Sequence, residues 1–282
     1  YSYASPGWYS VAQEVSGPAG SETVTKRACV LLAARIHYVD PANGDDTSNG
    51  GTSWSDAWKT ISHAVAQSGD YALILLADGT YREWGISLGG KTVCIMSANG
   101  PSNCIIDCGG SGRAFTLTSP GTGGVVLHGL TVTGGSADDG GAILLDQGSE
   151  CTVIDCVFEA NTANNGGGAI ALRNGSSLCV LASTFSNNTA TNSSGGAIRA
   201  ESSDLYVQGS TFTANQAVNG GAVAFVAVSR SVSLEGCLFN ANRASKYGGA
   251  VDTDCHSCML LECTFTDNEA AEGGGAASME NS

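Results

Sequence analysis

Positive charge is the scarcest commodity in this sequence. Twelve Lys plus Arg face 26 Asp plus Glu among 282 residues, for a net charge of −14. Nucleic acid and anionic membrane surfaces both demand clustered cations, so neither is expected as a partner. The acidic residues are dispersed and form no long run, which reads as a solvated surface. Proline is nearly missing, at 5 residues, which suits a body of paired strands. Aromatic residues make up only 7%. No apolar run approaches the roughly 18 residues of a membrane-spanning helix. GxSxG, HExxH and phosphate-loop motifs are all missing, which removes the common hydrolase, zinc-protease and nucleotide-binding readings.

What is plentiful is glycine, at 39 residues, and the glycines keep time. Pairs followed by Ala recur at Gly140-Gly141, Gly167-Gly168, Gly195-Gly196, Gly220-Gly221, Gly248-Gly249 and Gly274-Gly275. Between them a second motif, Phe-x-x-Asn, recurs with Phe158, Phe185, Phe212, Phe239 and Phe265, and with Asn161, Asn188, Asn215, Asn242 and Asn268. Two motifs sharing one period of about 27 residues announce a repeat architecture. After each glycine pair the residues alternate, with Ile143, Ile170, Ile198, Val223 and Val251 in one apolar column. Alternation means strand. Valine or leucine five residues before each Phe marks another strand, and the Phe run a third. The expectation is an all-β, right-handed parallel β-helix of about three strands per coil. The asparagines should point inward and bond up and down the stack, as amide ladders do.

The GGAI and FxxN motifs together resemble the repeat of chlamydial polymorphic outer membrane proteins. The resemblance covers about half of the chain and implies a secreted or surface-displayed β-helix, adhesive in its better-known members. The stretch YVDPANGDDTSNGGTSWSDAWKTI followed by LLADGTYRE is similar to the opening segment of many secreted pectate-lyase-like β-helix proteins, a likeness of fold that carries no catalytic residues.

Three segments follow from these patterns. Residues 1–35 have little pattern and read as an N-terminal arm or cap segment, with Tyr1, Tyr3, Trp8 and Tyr9 available to a neighbour. Residues 36–70 hold a short strand, Ile36–Asp40, and an amphipathic capping helix whose stripe is Trp54, Ala57, Trp58, Ile61, Ala64 and Val65. Residues 71–282 form the coils, regular from 140 onward, with Val132 and Gly135 in the places that Phe and Asn hold later. The coil that opens at Gly274 is unfinished at Ser282, so a longer array is expected, with further copies or other extracellular subunits as partners and glycans as a further partner class.

Candidate sites are few. Asp146, Arg173, Glu201, Val226, Asp254 and Glu280 share one column, which reads as a surface charge ladder. Arg199 and Asp252 stand close by in sequence. The loop Asn43-Gly44-Asp45-Asp46-Thr47-Ser48-Asn49 is acidic enough for Ca2+ but lacks EF-hand spacing, so a hydrogen-bonded turn is preferred and no cofactor is expected. Eleven cysteines suggest an oxidising compartment. Cys104 with Cys108 and Cys255 with Cys258 are the candidate disulfide cysteines. Asp254-Cys255-His256-Ser257-Cys258 has metal-binding residue types but no second ligand pair. Cys156, Cys237 and Cys263 occupy a column of small inward residues shared with Ser183 and Ser210. Nearly every repeated residue is accounted for by stacking. The expected function is therefore a structural or adhesive β-helix at the cell surface or outside the cell, with a subunit of an extracellular fibre or appendage as one form of it, and not an enzyme. The alternatives are a carbohydrate-active lyase or hydrolase, or a carbohydrate-binding module, on the same fold.

Overall fold

The computed structural model describes residues 5–17, 20–119, 124–227, 231–254 and 258–279. Tyr1, Tyr3, Cys255, His256, Ser257 and Glu280 lie outside the described residues. From residue 35 onward the chain winds into a stack of coils whose strands align in four parallel sheets of nine, eight, six and eight strands. A regular coil runs Glu150–Ile154, Val157–Glu159, Thr162–Gly166 and Ile170–Leu172, and these strands belong to the first, second, third and fourth sheets in that order. The third of them is a strand that the three-strand expectation lacked. Most of its copies are only two residues long, such as Thr189–Ala190 and Gln216–Ala217, too short for alternation to show.

Register is in step from coil to coil, so each column of the sequence is a column in space. Val125, Cys151, Leu178, Leu205, Val232 and Cys258 pair in succession. Val132 sits opposite Phe158, and the phenylalanines follow in line. Their rings stack with centroids 4.8–5.0 Å apart and planes within 10° of parallel. Offset stacking contributes roughly 0.5–1.5 kcal/mol per pair beyond burial. Phe158, Phe185, Phe212 and Phe239 are fully buried.

Beside this stack the asparagines form the corner between the second and third sheets. Asn188 Nδ2 and backbone N–H both donate to Asn215 Oδ1 at 3.0 Å, and the same Nδ2 donates to the Phe158 carbonyl. Asn161, Asn215 and Asn242 repeat this pattern downward, and Asn268 donates to Phe239. Gly135 donates its N–H to Asn161 Oδ1, so the ladder reaches the less regular coils. The residue before each asparagine adopts a left-handed conformation: Ala160, Asn187, Ala214, Ala241 and Asp267, with φ between 50° and 55°. That costs about 1–2 kcal/mol for a residue with a Cβ, and the amide bonds offset it. The glycine pairs make the next corner. Gly195 takes φ +71°, and a Cβ on Gly196 would sit 2.0 Å from the Gly221 carbonyl oxygen.

The N-terminal part departs from expectation in two ways. Gly7–Gly17 and Gly20–Leu32 pair antiparallel as a hairpin in a sheet of their own, where the sequence shows little pattern. The single helix between Trp54 and Val65 is instead a short 3-10 turn at Trp54–Asp56 and an α-helix, α1, at Ile61–Gln67. Trp58 interrupts it by bridging to Val39 of the first strand. Asp46 accepts the N–H groups of Lys59 and Thr60, and Glu83 accepts those of Ile61 and Ser62, so α1 begins only at residue 61. Its buried Ile61, Ala64 and Val65 join the core.

Candidate functional site

Stacking explains the inside of the regular coils, so a site on them must lie on the outside. Leu144, Ala171 and Ala224 occupy the outward positions of the fourth sheet, yet they are buried without belonging to the core. Arg199 stands between Ala171 and Ala224 in this column, and Asp252 follows Ala224.

Arg173 is the hub. Its Nη1 meets Asp139 Oδ2 at 3.1 Å and its Nε meets Asp146 Oδ2 at 2.9 Å. Asn174 Nδ2 donates to Asp146 Oδ1 at 2.7 Å, and the Gln147 N–H donates to the same oxygen. Asp146 is only 7% exposed. Burial pushes its carboxyl upward, but the hydrogen bonds from Asn174, Arg173 and Gln147 outweigh burial and hold it below the usual carboxylate range. Asn164 Nδ2 donates to Asp138 at 3.0 Å. Half-buried Arg113 faces the same carboxylates. Burial and the Arg173 charge lower its pKa against the opposing pull of Asp139 and Asp138. One coil further, Arg199 pairs with Glu201 at 2.8 Å. Its side chain lies across Gly166, where a Cβ would come within 2.3 Å of Arg199 Cδ.

At the upper end of this network stands Trp84, 51% exposed. The Gly85 N–H donates to the Arg113 carbonyl, and the indole lies against Gly112, whose missing side chain leaves it room. Of the column Asp146, Arg173, Glu201, Val226, Asp254 and Glu280, the structure joins Asp146 with Arg173 directly. Glu201 turns to Arg199 of its own strand, Asp252 is half-buried on the fourth sheet, and Asp254 is exposed. Arg113, Asp138, Asp139 and Trp84 were missed by sequence reading. Arg113 and Trp84 precede the regular repeats, and Asp138 and Asp139 belong to the third-sheet column that carries no motif.

The acidic loop is occupied by its own donors. Asp40 accepts from Ala42 and Asn43, Asp45 from Thr47 and Ser48, and Asp56 from Gly50 and Thr52. Among the described residues, no three of His, Cys, Asp and Glu converge as a metal group. Cys104 and Cys108 are buried free thiols rather than a bridged pair. Cys104 opens the strand Cys104–Asp107 and Cys108 follows it. Four residues of extended chain separate them by roughly 13 Å, beyond disulfide reach. Burial pushes both thiols up to about 12. Cys258 continues the inward column below Val232, and its proposed partner Cys255 is outside the described residues.

Comparison with known proteins bears on the fold. The family model for the right handed beta helix region matches residues 117–282, more than half of the chain. The chain belongs to the right-handed β-helix family. No protein of curated function matches this β-helix chain. Among solved structures it is similar to the pectate lyase Pel9A, at 18% identity and TM-score 0.46, covering 87% of this chain and 82% of that one. It is also similar to a rhamnogalacturonan lyase, at 13% identity and TM-score 0.46, with 83% and 74% covered. A PL6-family alginate lyase aligns at 12% identity and TM-score 0.45, with 88% of this chain and 40% of that chain covered. These likenesses concern fold. The expectation that the chain is not an enzyme is withdrawn: the three solved structures named here are polysaccharide lyases, and a shared fold neither gives nor excludes activity. Among the described residues, no helix is long and apolar enough to cross a membrane.

Proposed function

We propose that this β-helix is a carbohydrate-active protein of the cell exterior, and that it engages a polysaccharide across the face running from Trp84 to Arg173. The observation that carries this reading is the exposed Trp84 indole on a face where Arg173 is bonded to Asp139 and Asp146, Asn164 is bonded to Asp138, and half-buried Arg113 feels the charges of Asp139 and Asp138. A sugar ring has an apolar C–H face, which packs on an indole, and an edge of hydroxyls that both donate and accept. Arg, Asp and Asn answer that edge with paired donors or acceptors at fixed spacing. Because Arg173, Asp139, Asp146 and Asn174 are already bonded to one another, these groups need little ordering when a ligand arrives.

Charge narrows the ligand. Two guanidinium groups stand against the three carboxylates of Asp138, Asp139 and Asp146, on a chain of net charge −14. A neutral glycan suits that balance, whereas a polyuronate needs a bridging divalent cation. The test is affinity electrophoresis through gels containing a neutral galactan, polygalacturonate or alginate, with and without Ca2+, with new reducing ends and unsaturated uronate measured in parallel. Retardation by at least one polymer is expected, and Trp84→Ala should reduce it about tenfold. Migration unaffected by every polymer, or equal retardation of Trp84→Ala, would remove this reading.

A second reading has its own support. The unbroken Asn and Phe ladders, and the likeness of their motifs to chlamydial surface proteins, favour a structural or adhesive role in which the stack displays this face at the cell surface. Binding without any cleavage product would favour that role.

A further inference from the structure

The first coil contains a polar hollow that the repeat does not call for. Its volume is about 330 Å3. Arg35 and His37 of the first strand wall one side, Gln67, Gly69 and Asp70 beyond α1 wall another, and Ala72 of the next coil closes it. Lower in the stack the same positions are aliphatic. His37 heads the column Ile74, Ile95, Leu127 and Val153, and Arg35 heads Ala72 and Val93. A stack built only to bury apolar surface would put Val or Ile at both places. This coil puts an imidazole and a guanidinium there.

His37 is also incompletely satisfied. It is 7% exposed, and its ring stacks on Trp58 with centroids 4.8 Å apart. The Gly51 carbonyl takes one hydrogen bond from the ring, while Nδ1 is buried without a partner. Burial, then the nearby Arg35 charge, lowers the imidazole pKa, and the unpartnered Nδ1 is free to bond a ligand hydroxyl. Asp70 is held in place by the Thr92 N–H at 2.9 Å.

We infer that this hollow binds a small neutral polyhydroxylated molecule, a single sugar unit or polyol. Arg35 and Gln67 supply donors, Asp70 supplies an acceptor, and vicinal hydroxyls can satisfy both at once. The charges of Arg35 and Asp70 cancel, which disfavours an anionic ligand. The volume lies at the lower end of the range for small-molecule sites, about 300–1,000 Å3, which suits a single sugar unit or polyol. The hollow shares no residue with the Trp84 face. Its test uses monosaccharides where that one uses polymers, so the two proposals stand or fall separately.

Saturation-transfer NMR on the whole chain, with methyl β-galactoside, glucose, myo-inositol and galacturonate as probes, decides the matter. At least one neutral probe should receive saturation, galacturonate should bind several-fold more weakly, and the His37 ring 15N signals should shift on titration. Arg35→Met, at an exposed position, should weaken the neutral probe about tenfold without moving the melting temperature. Gln67→Ala serves as a second variant should the first fail to fold. No transfer to any neutral probe, tighter binding of galacturonate, or unchanged affinity in the folded variants would overturn the proposal.

Discussion

A single amide carries much of the order in this molecule. Asn215 accepts two hydrogen bonds from Asn188, donates two through Nδ2, and is fully buried. Asn215→Leu leaves the buried Asn188 N–H without a partner, at about 1–3 kcal/mol, and takes one hydrogen bond each from Asn188 Nδ2 and the Phe185 carbonyl. Urea denaturation should show a loss of roughly 3 kcal/mol or more, while Asn165→Leu at an exposed position should stay within about 0.5 kcal/mol. Asp146 gives a pH-dependent counterpart. Its pKa is lower folded than unfolded. Its stabilisation is therefore complete above the unfolded value and is lost as pH falls through the folded one. Asp146→Asn should destabilise by about 1–3 kcal/mol near about pH 6 and make little difference near about pH 2, as melting temperatures at the two pH values would show. The ladder was legible because like stacks on like, so a spatial column is a sequence period. The Arg173 hub was only half legible: Asp146 lies one period from Arg173, but Asp139 and Arg113 come from columns without a motif.

At the level of the element, the glycine pair fixes how closely one coil can approach the next. Gly196→Ala drives a Cβ into the Gly221 carbonyl, and a backbone neighbour cannot step aside. The expected cost is on the order of 3 kcal/mol or more. Gly175→Ala, with φ +77° but open space around it, should cost only about 1 kcal/mol. Comparable losses for the two in chemical denaturation would mean that conformation, not contact, conserves the corner. The elements that sequence reading missed share a cause. The third-sheet strands are too short for alternation to register, and the helix stripe from Trp54 to Val65 is real but is cut by a tertiary contact, the Trp58 bridge to Val39. Periodicity reports which side chains face inward. It does not report whether backbone hydrogen bonds run along the chain or across to a neighbour.

On the scale of the whole molecule, stability is close to a sum over coils and the contacts between neighbours. Removing Thr189–Asn215 takes out one period and joins Asn188 to Gln216. In the intact chain Gln216 already donates its N–H to the Asn188 carbonyl, the relation that Thr189 has to Asn161. The shortened chain should fold with the same circular dichroism and a modestly lower melting temperature. Collapse of the fold on this deletion would show that the coils are not interchangeable.

The phenylalanine stack climbs in steps of 4.8–5.0 Å while each step consumes about one 27-residue period of chain. That ratio gives the protein a mechanical character. The hydrogen bonds between coils lie along the stack axis, so tension applied at the two ends peels strands apart one at a time instead of shearing a whole sheet. A coil that gives way releases roughly 90 Å of slack at about 3.3–3.6 Å per residue, nearly twenty times the height it occupied. Under a pulling force the molecule should therefore behave as a reel with evenly spaced catches. It would lengthen by uniform increments at low, similar forces and absorb a sudden load without parting.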